Sequence, residues 1–283
     1  MYAAKQRGNG ASQRFLPSMQ AKAYSRLILE TALRHALEHK EFALTYQPKM
    51  DLRRRQISGV KALLRWKHPE LGVVMPLDFL PVLEQSTLML PVGAWVLSTA
   101  VAQARGWLDQ GLPLTVTVHL SPRQFFHRDI VPSLAATLEQ AGVPGRCIEI
   151  EINEAMLIDR NQQAEEILGQ FRQMGVRVAI SDFGTGYASL NYLRRYAVDV
   201  VKIDKSLVDD LVRGEAMVAA IIDMAHGLNM RVIAAGVETG EQLARLSAMG
   251  CDEAFGFCLS PPVAADEVGA LLAGRQQRVL LTS

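Results

Sequence analysis

The sequence predicts an α/β fold with a mostly parallel sheet closed into a (β/α)8 barrel. Three observations carry that expectation. Short apolar runs alternate with amphipathic helical stretches along the chain. Eight such runs fall within about 240 residues, which suits an eight-stranded barrel. No glycine-rich dinucleotide fingerprint follows the first run, which weighs against the alternative, an open doubly wound sheet.

The elements follow in order. The opening stretch "MYAAKQRGNGASQRFLPSMQ" reads as a helix end running into a polar linker with Gly8 and Gly10. "AYSRLILETALRHALEHKE" spaces its apolar residues three and four apart, the period of a helix. The strand runs are "FALTYQP", "ISGVKALLRW", "LTVTVHLS", "CIEIEIN", "VRVAISDFG", "VDVVKID", "RVIAAGVE" and "EAFGF". Helical stretches such as "GAWVLSTAVAQARGWLDQG", "IVPSLAATLEQAG" and "NQQAEEILGQFRQMG" lie between them. Each of these three ends in glycine, the residue that most easily adopts the left-handed conformation closing a helix.

Composition narrows the function classes. With 283 residues, 49% hydrophobic and 21% charged, the chain has the make-up of a globular protein. A formal net charge of +1 gives no overall attraction to nucleic acid or to an anionic membrane. The apolar runs are too short to span a bilayer, and no apolar signal-peptide core follows Met1. Cys147, Cys251 and Cys258 are an odd number without a CxxC pattern, so they read as free thiols in a reducing compartment. A cytoplasmic location is expected, with any membrane tether lying in domains outside this chain.

In a parallel barrel the site forms where the strands end at their carboxyl edge. Polar residues collect there: Gln47, Lys61, Arg65, His119, Glu151, Ser181, Asp182, Lys202, Asp204 and Glu238. A strand flanked by helices is normally a continuous apolar run. Charges recurring at the ends of several runs therefore point to a shared pocket. In "VKALLRW" the single Lys61 is surrounded by valine, alanine and leucines, and it needs a partner if it is buried.

The motifs "YQPKMDLRRRQISGVKALLRW", "HLSPRQF", "EIEINEA", "SDFGTGYASLNYL", "VKIDKSLV", "AAGVET" and "GCDEAFGF" follow one another as in EAL-domain proteins, and the chain resembles that family from residue 22 to 275. The family comprises cyclic di-GMP phosphodiesterases and inactive relatives. The resemblance implies a TIM-like (β/α)8 barrel whose first strand runs antiparallel to the others. Residues 1–21 resemble the end of a GGDEF-like domain and a linker, and 276–283 form a C-terminal tail. An upstream GGDEF-like domain is thus an implied partner.

Active members of the family use two divalent cations, usually magnesium or manganese, held by several oxygen ligands. The resemblance sets Lys61 at the signature glutamate, His119 at an asparagine ligand, Ser181 at the first aspartate of the DDFG motif and Ala235 at the glutamate of AEGVE. From the metal set Glu151 and Asp182 remain, with Glu238 nearby, and Lys202 keeps the catalytic-type lysine. Gln47, Leu64 and Arg65 match ligand-contacting positions. Phe255 and Phe257 stand at a glutamine and a tyrosine of the last strand, and Pro261 at a basic residue. The resemblance also implies a homodimer surface formed by the loop after Asp182, whose Phe183, Gly184 and Gly186 are retained.

These substitutions lead to the expectation that no metal or other cofactor is held and that the chain is not an enzyme. Lys61, held between Glu151 and Asp182, is expected to stand in for the cations. The favoured reading is a cyclic di-GMP receptor and regulatory module of bacterial second-messenger signalling. Lys61, Arg65 and Lys202 would attract the dianion, and Phe255 would offer a face for guanine. The alternatives are a nucleotide-free module acting through an unknown protein partner and a residual phosphodiesterase.

Overall fold

β1 (Phe42–Asp51) and β2 (Gln56–His68) form a long hairpin whose first strand runs against the other barrel strands. The computed structural model describes residues 17–159, 161–184, 190–196 and 198–280. Residues 1–16 of the helix end and linker expected at 1–21, and the loop at 185–189, on which the homodimer expectation rests, lie outside the described residues.

Two compact units divide the described chain. One comprises the segment up to Phe42 with Trp66–Met89, and the other Ala43–Arg65 with everything from Leu90 onward. In the smaller unit the end of β2 pairs antiparallel with β3 (Gly72–Val74), and Trp66 lies opposite Val74. The rings of Phe42, Trp66 and Phe79 stand 5.8–6.5 Å apart, tilted or edge to face. The indole N–H of Trp66 donates to Glu41 at 2.9 Å. The short strand β3 and the helix Pro76–Gln85 were not among the sequence expectations. Three residues are too few to show alternation, and Pro81 sits inside that helix.

The larger unit is the barrel. β2 pairs in parallel with β4 (Thr115–His119), and β5 (Ile148–Asn153), β6 (Arg177–Phe183), β7 (Val200–Ile203), β8 (Arg231–Ala235) and β9 (Glu253–Phe255) follow in sequence order. β1 closes the ring between β9 and β2 and is antiparallel to β9, with Met50 opposite Ala254. The eight expected runs are therefore the eight barrel strands.

Residue alternation decides what fills the barrel. In β5, Ile148, Ile150 and Ile152 belong to the large apolar core that includes helix residues such as Trp107, Leu134 and Phe171. Glu149 and Glu151 point the other way, into the barrel, and are 3% exposed. Neighbouring strands repeat the pattern, with Val116, Val178, Val201 and Val232 outside. A small apolar cluster, Ala179, Val200, Ile233, Ala235 and Phe255, lies inside.

The helices Pro17–Glu38 and Ala265–Leu280 run across the boundaries expected at 21/22 and 275/276. Cys147 and Cys251 are buried and Cys258 is half-buried, all as free thiols. Among the described residues no helix is long and apolar enough to cross a membrane.

Candidate functional site

Charged side chains inside the barrel form two levels. At the lower level Lys49 Nζ lies 2.8 Å from Glu149 Oε1 and 3.9 Å from Glu253 Oε2. Thr117 donates its hydroxyl to Glu149 at 2.7 Å. Arg231 reaches Glu253 at 3.2 Å and Asp51 at 3.3 Å, and Arg177 donates to the hydroxyl of Thr115. Polar residues at strand ends alone do not reveal this level. The signal was present in the strict alternation of "IEIEIN", which in a helix-covered strand turns one face of charge inward.

The upper level lies at the carboxyl ends of the strands and centres on Glu151. Lys61 donates to both Glu151 oxygens, at 2.7 and 3.0 Å. Lys202 donates to Oε1 at 2.9 Å, and His119 Nδ1 lies 3.6 Å from the same oxygen. The register explains the geometry. Lys61 lies opposite Thr117, and Thr117 opposite Glu149, so the lysine starts one strand repeat below Glu151 and its stem spans the difference. Phe255 lies beneath both ammonium groups, its ring centre 5.8 Å from Lys61 Nζ and 5.3 Å from Lys202 Nζ. A ring face there is attractive to cations.

Burial and neighbouring charge act against each other at this centre. Burial would raise the Glu151 carboxyl, but Lys61 and Lys202 together hold it well below the usual carboxylate range. Burial lowers Lys61 to about 8, with the Lys202 charge adding to the effect and Glu151 opposing it. Burial also acts to lower Lys202, yet Glu151 outweighs it and leaves that ammonium above the ordinary lysine value.

The other expected site residues fall in several places. Arg65 is 9% exposed, is lowered by burial, and donates to the Leu64 carbonyl at 3.0 Å. Leu64 is half-buried, and the buried Gln47 donates to the Ser260 carbonyl at 3.4 Å. Ser181 is buried and donates to Asp182 at 3.1 Å. Asp182 has a left-handed backbone (φ 61°), which a short polar side chain tolerates, and its charge supports Lys202. The partner expected to join Glu151 in holding Lys61 is thus an influence on the second lysine.

Glu238 is exposed and paired with Lys205 at 2.9 Å. Asp204 caps the helix Lys205–Asp209 by accepting from Ser206 N at 2.9 Å. Ala235 is packed in the inner apolar cluster with Phe255, whereas Phe257 is exposed. Glu154 was not singled out from the sequence. Burial raises its carboxyl, and its oxygens have no hydrogen-bond partner among the described residues.

The resemblance implies a pair of divalent cations, and the donor set tests that implication. A hard cation needs the carboxylate lone pairs. Here both Glu151 oxygens accept from ammonium groups, and like charge would face any cation placed there. Among the described residues no group of three or more His, Cys, Asp or Glu side chains is placed to hold a metal ion. The side chains as placed do not fit the pair.

Residues 30–262 match the EAL-domain family model, and the chain belongs to the EAL-domain family. It is 37% identical over 268 residues to the cyclic di-GMP phosphodiesterase PdeR of Escherichia coli K12, covering 94% of this chain and 40% of that protein. The structure resembles the PaMucR phosphodiesterase in its c-di-GMP complex, with 37% identity, a TM-score of 0.82, and coverage of 85% of this chain and 99% of that one. It also resembles the FimX EAL domain of Pseudomonas aeruginosa bound to c-di-GMP, with 27% identity, a TM-score of 0.76, and coverage of 83% and 96%. The chain spans about a third to two fifths of the curated relatives first matched, 34% and 40% of their lengths.

These relatives correct one expectation. Differences at four family positions lead to the expectation that the chain is not an enzyme. Relatives of this similarity are named phosphodiesterases, so substitutions at single positions do not remove the chain from an enzyme family. The broader expectation, an EAL barrel, stands.

Proposed function

We propose that the chain binds cyclic di-GMP at the carboxyl-end mouth of the barrel and serves as a regulatory receptor module in second-messenger signalling. The observation that carries this reading is the pair of ammonium groups gathered at the mouth over the Phe255 ring. Lys61 and Lys202 both donate to Glu151, the charges of Asp182 and Asp204 also act on Lys202, and the buried Arg65 follows Lys61 on the same strand. A ligand phosphate can accept from such ammonium groups, and a guanidinium presents two parallel donors to a phosphate or a guanine edge. Two relatives of the same fold have structures described as c-di-GMP complexes, which supports the choice of ligand. Gln47, Leu64, Asp182 and Phe255 belong to the proposed lining, whereas Glu238 enters only through its contact with Lys205.

The organisation 1–21, 22–275 and 276–283, an upstream GGDEF-like domain, a homodimer through the loop after Asp182 and a cytoplasmic location belong to the same proposal. The free thiols support the last of these.

Titration calorimetry with cyclic di-GMP, with and without magnesium, tests the reading, and the product mixture is analysed for linear dinucleotide in the same samples. Saturable binding that persists without magnesium is expected. In Arg65→Ala the loss of a charge-assisted contact should weaken binding about tenfold or more. No heat at high ligand concentration would overturn the proposal in favour of a module acting through a protein partner.

A further inference from the structure

The opposite end of the barrel holds a second basic site. Because β1 runs antiparallel, its last residue, Asp51, meets the first residues of the parallel strands, where Arg231 opens β8 and Asp252 precedes β9. A cavity of about 1000 Å³ opens there. The hairpin turn carries Arg53, Arg54 and Arg55 into its wall, and His226, Arg231 and Ser247 complete the polar lining.

The two carboxylates in that wall are already engaged. Asp51 accepts from the Arg54 backbone N–H at 2.8 Å and from Arg231 at 3.3 Å. Asp252 accepts from the Val232 N–H at 2.8 Å and faces His226 Nε2 at 2.9 Å. The guanidinium groups of Arg53, Arg54 and Arg55 are exposed, and among the described residues they form no ion pair. Three consecutive cations are thus kept on one short turn, fixed by the Asp51 contact and by the left-handed backbone of Arg55 (φ 54°). The whole chain carries a net charge of only +1, so this is a local concentration and not a share of a general basicity.

Like charges this close repel within a Debye length, and a multivalent anion relieves several repulsions at once. Planar guanidinium forks match phosphate oxygens in pairs. The volume lies at the upper end of small-molecule sites, which suits a ligand of nucleotide size. We propose that this cavity is a second ligand site, separate from the mouth, for a small anion bearing two or more phosphate groups.

The test is calorimetry with inorganic triphosphate and with inorganic phosphate on the chain, on the triple variant Arg53→Ser/Arg54→Ser/Arg55→Ser, and on Arg65→Ala at the mouth. The substituted turn is exposed, and an unchanged thermal midpoint checks that the variant is folded. Triphosphate is expected to saturate, to bind about tenfold or more tighter than phosphate, and to lose at least that factor in the triple variant while Arg65→Ala leaves it unchanged. Equal binding to the folded triple variant overturns the assignment, as does an equal loss in Arg65→Ala, which would move the anion to the mouth. A short single-stranded RNA binding the turn more tightly than triphosphate also overturns it, by making the patch a nucleic-acid contact.

Discussion

Glu151 holds two ammonium groups on one carboxylate, and that ratio decides which substitution costs more. Glu151→Ala strands two buried cations, and breaking a buried pair in this way costs about 3–5 kcal/mol. Lys61→Met leaves Glu151 paired with Lys202 and removes a cation–cation repulsion, so its cost should not exceed one charged hydrogen bond, roughly 1.5–3 kcal/mol. Urea unfolding should therefore rank Glu151→Ala as the less stable of the two, and the reverse order would show that Lys61, not Glu151, organises the mouth. The pH dependence has a definite sign. Lys61 is lowered to about 8 from an unfolded value of 10.5, so between these values the unfolded chain binds more protons. Its contribution to stability rises with pH across that window, and the rise should vanish in Lys61→Met.

Among the elements, β2 depends on a missing side chain. A Cβ at Gly59 would collide with the carbonyl oxygen of Thr115 in β4 and sit 3.1 Å from the Cε of Lys49. Gly59→Ala should part β2 from β4 and disturb the Lys49–Glu149 pair, at the roughly 1–3 kcal/mol typical of overpacking. An unchanged urea midpoint would refute the close approach. The elements were also where the sequence was most legible. All eight barrel strands were visible as apolar runs, because each presents a strongly apolar face to the helices. The mouth was legible at Lys61, Glu151 and Lys202 through charges interrupting those runs. It was less legible at Asp182 and Glu238, whose contacts are set by a left-handed turn and by Lys205, features that no residue pattern encodes. Lys49 escaped notice because it lies two residues before the end of β1, just past the apolar run "FALTYQP".

The whole barrel is held around ionic levels as well as apolar ones, and its response to acid follows. Burial opposes ionisation of Glu149, but Lys49, Thr117 and Arg177 lower it nonetheless, and Glu151 is lowered further. A lowered carboxyl contributes stability that is fully present above its unfolded value of 4.5 and is lost as pH falls through its folded value. Unfolding followed by circular dichroism should show stability falling below pH 4.5, and Glu149→Gln should have a shallower slope there than the parent chain. Parallel slopes would mean that the interior carboxylates do not govern acid unfolding.

The position of β1 has a consequence for synthesis. Its partners on one side, in β2, follow at once, but on the other side Met50 waits for Ala254. At ribosomal rates of roughly 5–20 residues per second, the intervening stretch of about 200 residues takes roughly 10–40 s to emerge, and for that time one edge of the first strand is unpaired. Nascent chains stopped before residue 253 should therefore be recovered bound to chaperones or as aggregates, because an open strand edge invites pairing with other chains.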